Sequence, residues 1–352
     1  MIVLGIESSC DETAAAIVER GVTVHANVVA SQNDIHAEYA GVVPELASRA
    51  HVERILPVIR EALSQAGVGL GMIDAIAVGH RPGLIGSLLV GVAAAKALAW
   101  SLGKPLIGVD HVHAHLYAGE LAQPPAPPHD AFPALGLVVS GGHTSIYEVR
   151  AWTDLSRLGA TIDDALGEAY DKAAAILGLP FPGGPNLDAL ARTHPATDSL
   201  LTLPVSRLGP DSLDFSFSGL KTALLYAVHG VPGERAPAPP PALDDPRRRL
   251  LAASFQAAAS EAVRLKLTRA LDQAPARGLR YQRLLVGGGV SANSHLRAVL
   301  THLAQRHSLA LRLPALGVCV DNAAMIAGLG FELLKAGHTS PLSLQAVPTT
   351  SL

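Results

Sequence analysis

Cysteine is nearly absent: Cys10 and Cys319, far apart in sequence, are the only two. No disulfide framework is expected from such a pair, and a reducing compartment fits it. Aromatic residues make up only 4% of a chain that is 49% hydrophobic, so Ala, Leu, Val and Ile must fill the core. An excess of one charge is missing too. The formal net charge is -3, so no global field recruits nucleic acid, and any RNA contact must come from a local patch. The first residues have no basic stretch and meet an acid at Glu7, so no signal peptide is expected. The longest uncharged stretch that reads as helical, residues 82–95 between Arg81 and Lys96, falls short of the roughly 20 apolar residues that span a bilayer. Together these features predict a soluble cytoplasmic protein with no membrane contact.

Several motifs are also missing. There is no Walker A loop and no dinucleotide G-x-G-x-x-G, which argues against a P-loop NTPase and a dehydrogenase. No H-E-x-x-H sequence is present, which argues against a zincin-type metallopeptidase. No RRM or KH signature is visible.

What is present has an internal rhythm. At 352 residues, and with roughly 100–200 residues per domain as the prior, two or three domains are expected. Residues 2–6 and 135–139 are apolar runs, each followed by a short polar turn and a second apolar run, which reads as strand, tight turn, strand. Each half then repeats a second unit. The first has a strand at 74–78, a Gly/Pro loop at 79–86 and a helix at 87–100. The second has a strand at 283–286, a Gly-rich loop at 287–293 and a helix at 294–305. The pattern predicts a duplicated α/β chain. Two Pro-rich segments, 123–129 and 230–246, read as loops, because proline lacks the N–H that a helix or central strand needs.

Three turns can aim N–H and O–H donors at a phosphate: Glu7-Ser8-Ser9-Cys10-Asp11-Glu12-Thr13, Ser140-Gly141-Gly142-His143-Thr144, and the Gly287–Asn293 stretch that opens a helix. In Asp110-His111-Val112-His113-Ala114-His115, a helix places His111 and His115 one turn apart on one face, so that one metal can take both, and His113 points elsewhere. Taken alone, Asp171 reads as a helix-surface acid and Asn293 as a helix N-cap. Between 247 and 283, nine Arg or Lys residues face only Glu261 and Asp272, which makes this run either a phosphate-contacting patch or a solvated helix face.

Duplicated halves with hairpin phosphate loops resemble the actin/Hsp70/sugar-kinase (ASKHA) superfamily. Within it the chain resembles, over nearly its whole length, the TsaD family of tRNA-modifying transferases. The resemblance rests on Gly5 to Thr13, Gly41 to Arg49, Ser140 to Thr144, Gly167-Glu168-Ala169-Tyr170-Asp171-Lys172, Pro182-Gly183-Gly184-Pro185, Phe215 to Thr222, Gly287 to Asn293, and Asp321-Asn322. It implies two related lobes, 1–130 and 131–322, with a cleft between them and a segment 323–352 returning to the first lobe. It implies transfer of threonylcarbamoyl from threonylcarbamoyl-AMP to N6 of the adenosine 3′ of the tRNA anticodon, with release of AMP. His111, His115 and Asp321 would hold one divalent metal, Fe²⁺ or Zn²⁺. Val138, Val139, Ser140, Gly141, Gly142, Asp171, Gly184 and Asn293, joined by Asp188, would hold the adenine nucleotide and its acyl group. Asp11 and Glu12 are the candidates for handling the amine's proton. A TsaB-like paralogue and a TsaE-like ATPase are implied partners, with residues 93–100 or 46–59 as candidate heterodimer faces. Two other readings stay beside this one: a small-molecule kinase or ATP-binding module of the same superfamily, and a metallopeptidase. The chain departs from the family pattern at Arg81, where a loop glycine is usual, at His113 and Ala114 between the ligand histidines, and at Ala323 after Asp-Asn.

Overall fold

The computed structural model describes the chain except for residues 38, 40, 123–130, 196–197, 231–244 and 350–352. The loop expected at 123–129 and most of that expected at 230–246 therefore lie outside the described residues.

Strands form where short apolar runs recur. β1 (Ile2–Glu7), β2 (Glu12–Glu19), β3 (Thr23–Ser31), β4 (Ala75–Arg81) and β5 (Leu106–Asp110) make one sheet in the order β3-β2-β1-β4-β5. β6 (Ala134–Val139), β7 (Thr144–Ala151), β8 (Asp154–Ala160), β9 (Arg283–Gly287) and β10 (Ala310–Arg312) make a second in the order β8-β7-β6-β9-β10. The two orders match strand for strand. In each sheet the first three strands pair antiparallel and the next two join parallel. This is the duplicated α/β architecture that the sequence predicts.

The helices of the first half are α1 (Asn33–Ala37), α2 (Pro44–Ala66), α3 (Ile85–Leu102) and α4 (His111–Tyr117). Those that follow are α5 (Leu166–Ile176), α6 (Gly183–Ala191), α7 (Ser218–His229), α8 (Asp245–Gln273), α9 (Ser294–Arg306) and α10 (Ala323–Lys335). Side chains on a strand alternate between faces. Leu4 and Ile6 of β1 therefore join the core that α2 and α3 cover, and Val3 joins the core that α10 covers. Gly5 is what lets α10 lie this close, since a Cβ there would collide with the Ala323 carbonyl and sit 2.9 Å from the Ala327 methyl.

Three boundaries differ from the sequence reading. β4 runs on through Gly79 to Arg81, pairing Gly79 with Val109 and Arg81 with Asp110. Gly79 is a strand glycine, not a loop glycine, because the Glu7 carboxylate occupies the space a Cβ would need. α8 begins at Asp245 and takes in Pro246, which its first turn tolerates because that N–H would be unbonded anyway. α3 has 18 residues and is long and apolar enough to cross a membrane by length and composition, unlike the shorter stretch read from the sequence. It is the crossover helix between parallel strands β4 and β5, and it covers one face of the sheet.

The short turn after α4 ties the two sheets together. Glu120 is buried and accepts a hydrogen bond from Nη2 of Arg283, the first residue of β9. The Arg312 guanidinium of β10 stands 3.8 Å from the same carboxylate oxygen. Truncating one member of a buried pair leaves its partner charged and without compensation, at a cost of about 3–5 kcal/mol. Glu120→Ala is expected to lower the urea unfolding midpoint by a corresponding amount. A midpoint equal to that of the wild type would show that this clamp carries no stability.

Candidate active site between the lobes

Two residues one turn apart on α4 begin the site. Asp110 ends β5 and caps α4, its Oδ1 accepting from the Val112 N–H at 3.0 Å and the His113 N–H at 3.2 Å. The helix therefore starts at His111, and His115 follows one turn later on the same face, with ring centroids 4.6 Å apart. His113 is turned away and packs edge-on against Tyr147.

Asp321 arrives from the other end of the chain. Asn322 caps α10 through the Met325 N–H at 3.0 Å and donates to the Val318 and Val320 carbonyls, which fixes the turn that presents Asp321. Asp321 Oδ1 lies 3.1 Å from His115 Nε2 and 3.5 Å from His111 Nε2. One ligand atom from each of the three residues falls within 4.8 Å of the others.

The donor set fits a divalent metal. His111 turns its Nδ1 to Glu7 Oε2 at 3.0 Å and to Ser9 Oγ at 3.2 Å, which leaves Nε2 aimed at Asp321. A carboxylate behind a ligand histidine fixes its tautomer and raises its basicity. His115 is fully buried; its Nδ1 has no hydrogen-bond partner, and its Nε2 faces only the Asp321 carboxylate, 3.1 Å away. A buried polar atom left unsatisfied is costly, and Nε2 facing the other two ligand atoms is what a metal ion would satisfy. Burial opposes a charge on His111, but the carboxylates of Asp321 and Glu7 outweigh it and hold that imidazole well above its usual range. Burial holds His115 below its usual range. The protein alone thus keeps one imidazolium here, which a dication would replace with release of a proton.

The cluster opens into a cavity of about 490 Å³ lined by both lobes. From the first come Cys10, Asp11 and Glu12 of the β1–β2 turn, and from the second Ser140, Gly141, Gly142 and His143 of the β6–β7 turn. The second turn is closed by Ser140 N–H donating to the His143 carbonyl at 2.7 Å and seated on α5 by Gly167 N–H donating to the Ser140 carbonyl. A Cβ at Gly141 or Gly142 would meet only open space, so ligand atoms can approach that backbone closely. The first turn is pinned from α2, where His51 contacts Thr13 Oγ1 at 2.7 Å and the Cys10 carbonyl at 3.0 Å.

The remaining candidates stand apart from this cavity. Val138 and Val139 are fully buried in β6 and point into the cores. Asp171, Gly184, Asp188 and Asn293 are not among the lining residues. Asp171 Oδ1 accepts from the Gly183 and Gly184 N–H groups and so caps α6. Asp188 accepts from Ser294 Oγ at 2.7 Å, and Asn293 caps α9 while donating to Gln256. These four tie α5, α6 and α9 together beside the Ser140 turn through these contacts.

Glu7, Ser9, His51 and His143 acquire roles that sequence reasoning did not give them. Burial, then the charges of His111 and His115, push His143 down to about 4, so it is a neutral imidazole in the cavity wall at neutral pH. Of the basic run at 247–283, Lys266 and Arg283 are buried, while Arg247, Arg277 and Arg280 stay exposed. Arg264 pairs with Glu261, Arg277 with Glu148 and Arg283 with Glu120. Lys266, Arg269 and Arg247 donate to backbone carbonyls. Six of the nine basic residues are thus tied to partners within the protein.

Burial and the neighbouring Asp11 and Asp321 carboxyls push the Cys10 thiol far up, and the thiolate is the reactive form. Native protein in chelator is therefore expected to take up iodoacetamide at Cys10 at pH 8 much more slowly than the unfolded chain, as read by mass spectrometry of the peptide. Alkylation at the unfolded rate would contradict this account of the site.

Comparison with known proteins follows this geometry. The profile of the family described as "TsaD: tRNA N6-adenosine threonylcarbamoyltransferase" matches residues 23–328. A protein of that name from Anaeromyxobacter dehalogenans strain 2CP-C is 49% identical, over 99% of this chain and 99% of its own. One from Symbiobacterium thermophilum is 48% identical, over 100% of this chain and 97% of its own. Among solved structures, HypF from T. kodakarensis superposes with a TM-score of 0.58 at 15% identity, covering 95% of this chain and 48% of that one. Component A of the Acidaminococcus fermentans (R)-2-hydroxyglutaryl-CoA dehydratase gives 0.52 at 13% identity, covering 96% and 100%. At those identities the likeness is one of fold, and that fold is the actin/Hsp70/sugar-kinase one.

Proposed function

Because the chain belongs to the TsaD family and is a tRNA N6-adenosine threonylcarbamoyltransferase, we propose that its donor is threonylcarbamoyl-AMP and its acceptor the N6 amine of the adenosine 3′ of the anticodon. The observation that carries this reading is the single cavity in which the Ser140–Gly142 turn, the Asp11–Glu12 turn and the His111/His115/Asp321 cluster meet.

In the reaction the N6 lone pair attacks the carbamoyl carbon of the mixed anhydride. The new N–C bond forms, the C–O bond to phosphate breaks, and AMP leaves with that electron pair. The donor is already activated, so no protein nucleophile is required, and the raised Cys10 thiol does not offer one. The demand on the protein is to hold the two substrates together, to stabilise negative charge on the donor's oxygens and to take a proton from the amine. Backbone N–H dipoles of Gly141 and Gly142 supply fixed charge stabilisation where no side chain crowds them. One divalent metal on His111, His115 and Asp321, Fe²⁺ or Zn²⁺, supplies Lewis-acid stabilisation of donor oxygens when bound.

Asp11 and Glu12 handle the proton. Burial, then the Asp321 and Asp11 carboxyls, push Glu12 up to about 10. Asp11, beside it in the same turn, is the second carboxyl of the cavity wall to which the amine's proton can pass. His143, held neutral, excludes a further positive charge from the wall beside His111. A peptidase would need a general base in front of its metal. Glu7 instead lies behind His111, on Nδ1.

The apolar faces of α2 and α3 fit the expected paralogue. Val52 and Leu56 stand one turn apart on α2, as do Ile85 and Leu89 on α3. All four are exposed, and Trp100 further along α3 is 76% exposed. A TsaB-like chain of related fold covers this face in the working assembly, and a TsaE-like ATPase acts with it. Purified alone, the chain is then expected to show little multiple-turnover activity with tRNA and donor, and Trp100→Asp to abolish rescue by the partner. Full turnover by the isolated chain would overturn the partner requirement.

The mechanism predicts a graded set of variants in a threonylcarbamoylation assay with metal content measured in parallel. His111→Ala, His115→Ala and Asp321→Ala are expected to lose metal and nearly all modification while remaining folded. Glu12→Ala is expected to keep metal and lose rate by about 10²–10⁴-fold. Cys10→Ser is expected to stay substantially active. Full activity in a variant without bound metal would defeat the metal's role.

A further inference from the structure

We infer that Arg81 is a positioning residue for the metal ligands, acting through Asp110 on the aim of His115. The inference rests on the metal reading above and concerns a residue at which the chain departs from its family's loop glycine.

The link is continuous. Parallel pairing of β4 with β5 is regular up to Gly79 opposite Val109, then shifts so that Arg81 faces Asp110. A bulge of this kind re-aims a side chain at the end of a strand. Here it brings Arg81 Nε to 3.2 Å from Asp110 Oδ2. The other carboxylate oxygen, Oδ1, is the N-cap of α4 through Val112 and His113. One carboxylate is therefore shared between a cation on one oxygen and the first turn of the metal-bearing helix on the other. The Asp110 side chain is only 4% exposed, so those partners, and not solvent, surround its carboxylate.

The two ligand histidines do not depend on the cap equally. His111 is held independently, its Nδ1 tied to Glu7 and Ser9. His115 Nδ1 has no partner, so apart from the Asp321 carboxylate 3.1 Å from Nε2 only the helix frame and its packing set the direction of that ring. A shift of the first turn of α4 moves His115 relative to Asp321, while His111 keeps its tether. Glycine at position 81 would leave the buried Asp110 carboxylate without its cation and draw it off the cap toward water. Asn at position 110 would cap α4 as well as Asp does and would carry no charge that needs a partner.

The test is metal affinity, measured on purified protein by competition of Zn²⁺ against a chromophoric chelator, with the Co²⁺ d–d spectrum as a report on ligand geometry. Arg81→Gly is expected to weaken Zn²⁺ binding by about 10–100-fold, the range for residues that orient ligands, and to alter the Co²⁺ spectrum. Arg81→Lys, which keeps the charge, is expected to lose less. The double variant Arg81→Gly/Asp110→Asn is expected to recover affinity and spectrum over Arg81→Gly alone. A merely structural arginine would give no such rescue. Wild-type affinity in Arg81→Gly, or a double variant no better than the single one, overturns the inference while leaving the metal site standing. Failure of the wild type to bind Zn²⁺ or Co²⁺ overturns the inference and the metal reading together. Thermal melts of all variants separate loss of fold from loss of aim.

Discussion

The hydrogen bond between Glu7 and His111 is the contact around which the first lobe is arranged. Glu7 ends β1, is fully buried, and reaches across to a helix more than a hundred residues later. Space for it is made by Gly79 on the neighbouring strand, where any side chain would strike its carboxylate. Its second oxygen accepts from the Ser9 N–H at 2.5 Å and so bends the chain into the β1–β2 turn. A buried carboxylate is costly unless it is bonded on both oxygens. Meeting that demand shapes the turn that carries Asp11 and Glu12 and aims the first metal ligand in one stroke.

α4 then joins the lobes. Its N-terminal end is fixed by β5 and β1, and its other end packs on the second sheet. The His115 carbonyl lies against Gly287 so closely that no Cβ fits, and Leu116 fills the space over Gly136. The α10 segment that delivers Asp321 packs on β1, over Gly5. The His111, His115 and Asp321 cluster therefore draws on a helix gripped by both sheets and a turn anchored on one of them, with Glu120 and Arg283 paired just beyond the helix.

How much of this was legible follows from the range of the interactions. Hairpins, repeated units and the one-turn spacing of His111 and His115 are local patterns, and the sequence displays them. Asn293 as a helix cap is local as well, and the structure has it so. Glu7 and His143 are read only as members of phosphate-facing turns and His51 is passed over, because their partners lie on other elements and no periodicity announces them. Gly79 reads as a loop residue because a Gly-Pro-Gly neighbourhood signals a turn, whereas the real reason for glycine is a carboxylate on the next strand. The partners of the basic run at 247–283, Glu148, Glu120 and the carbonyls of 207–212, are not legible because they are remote in sequence. Asp321 became a ligand candidate only through family resemblance. Its approach to His115 is a tertiary fact.

Charge balance connects the cavity's two tasks. Asp11, Glu12 and Asp321 line its wall, and Glu7 stands just behind His111. Against them the protein sets one imidazolium, since burial keeps His115 low and His143 is pushed down to about 4. A phosphate-bearing ligand entering this space would meet acids at close range, and the glycine turn contributes only partial charges. The acid-rich wall, with the Nε2 atoms of His111 and His115 facing Asp321, suits a cation held within the cavity itself. Removing one acid from the cluster, as in Asp321→Ala, takes away both a ligand and the negative charge that recruits the ion. Glu12, pushed up to about 10 by burial and then by the Asp321 and Asp11 carboxyls, sits in the same negative field, which a cation held at His111, His115 and Asp321 would relieve.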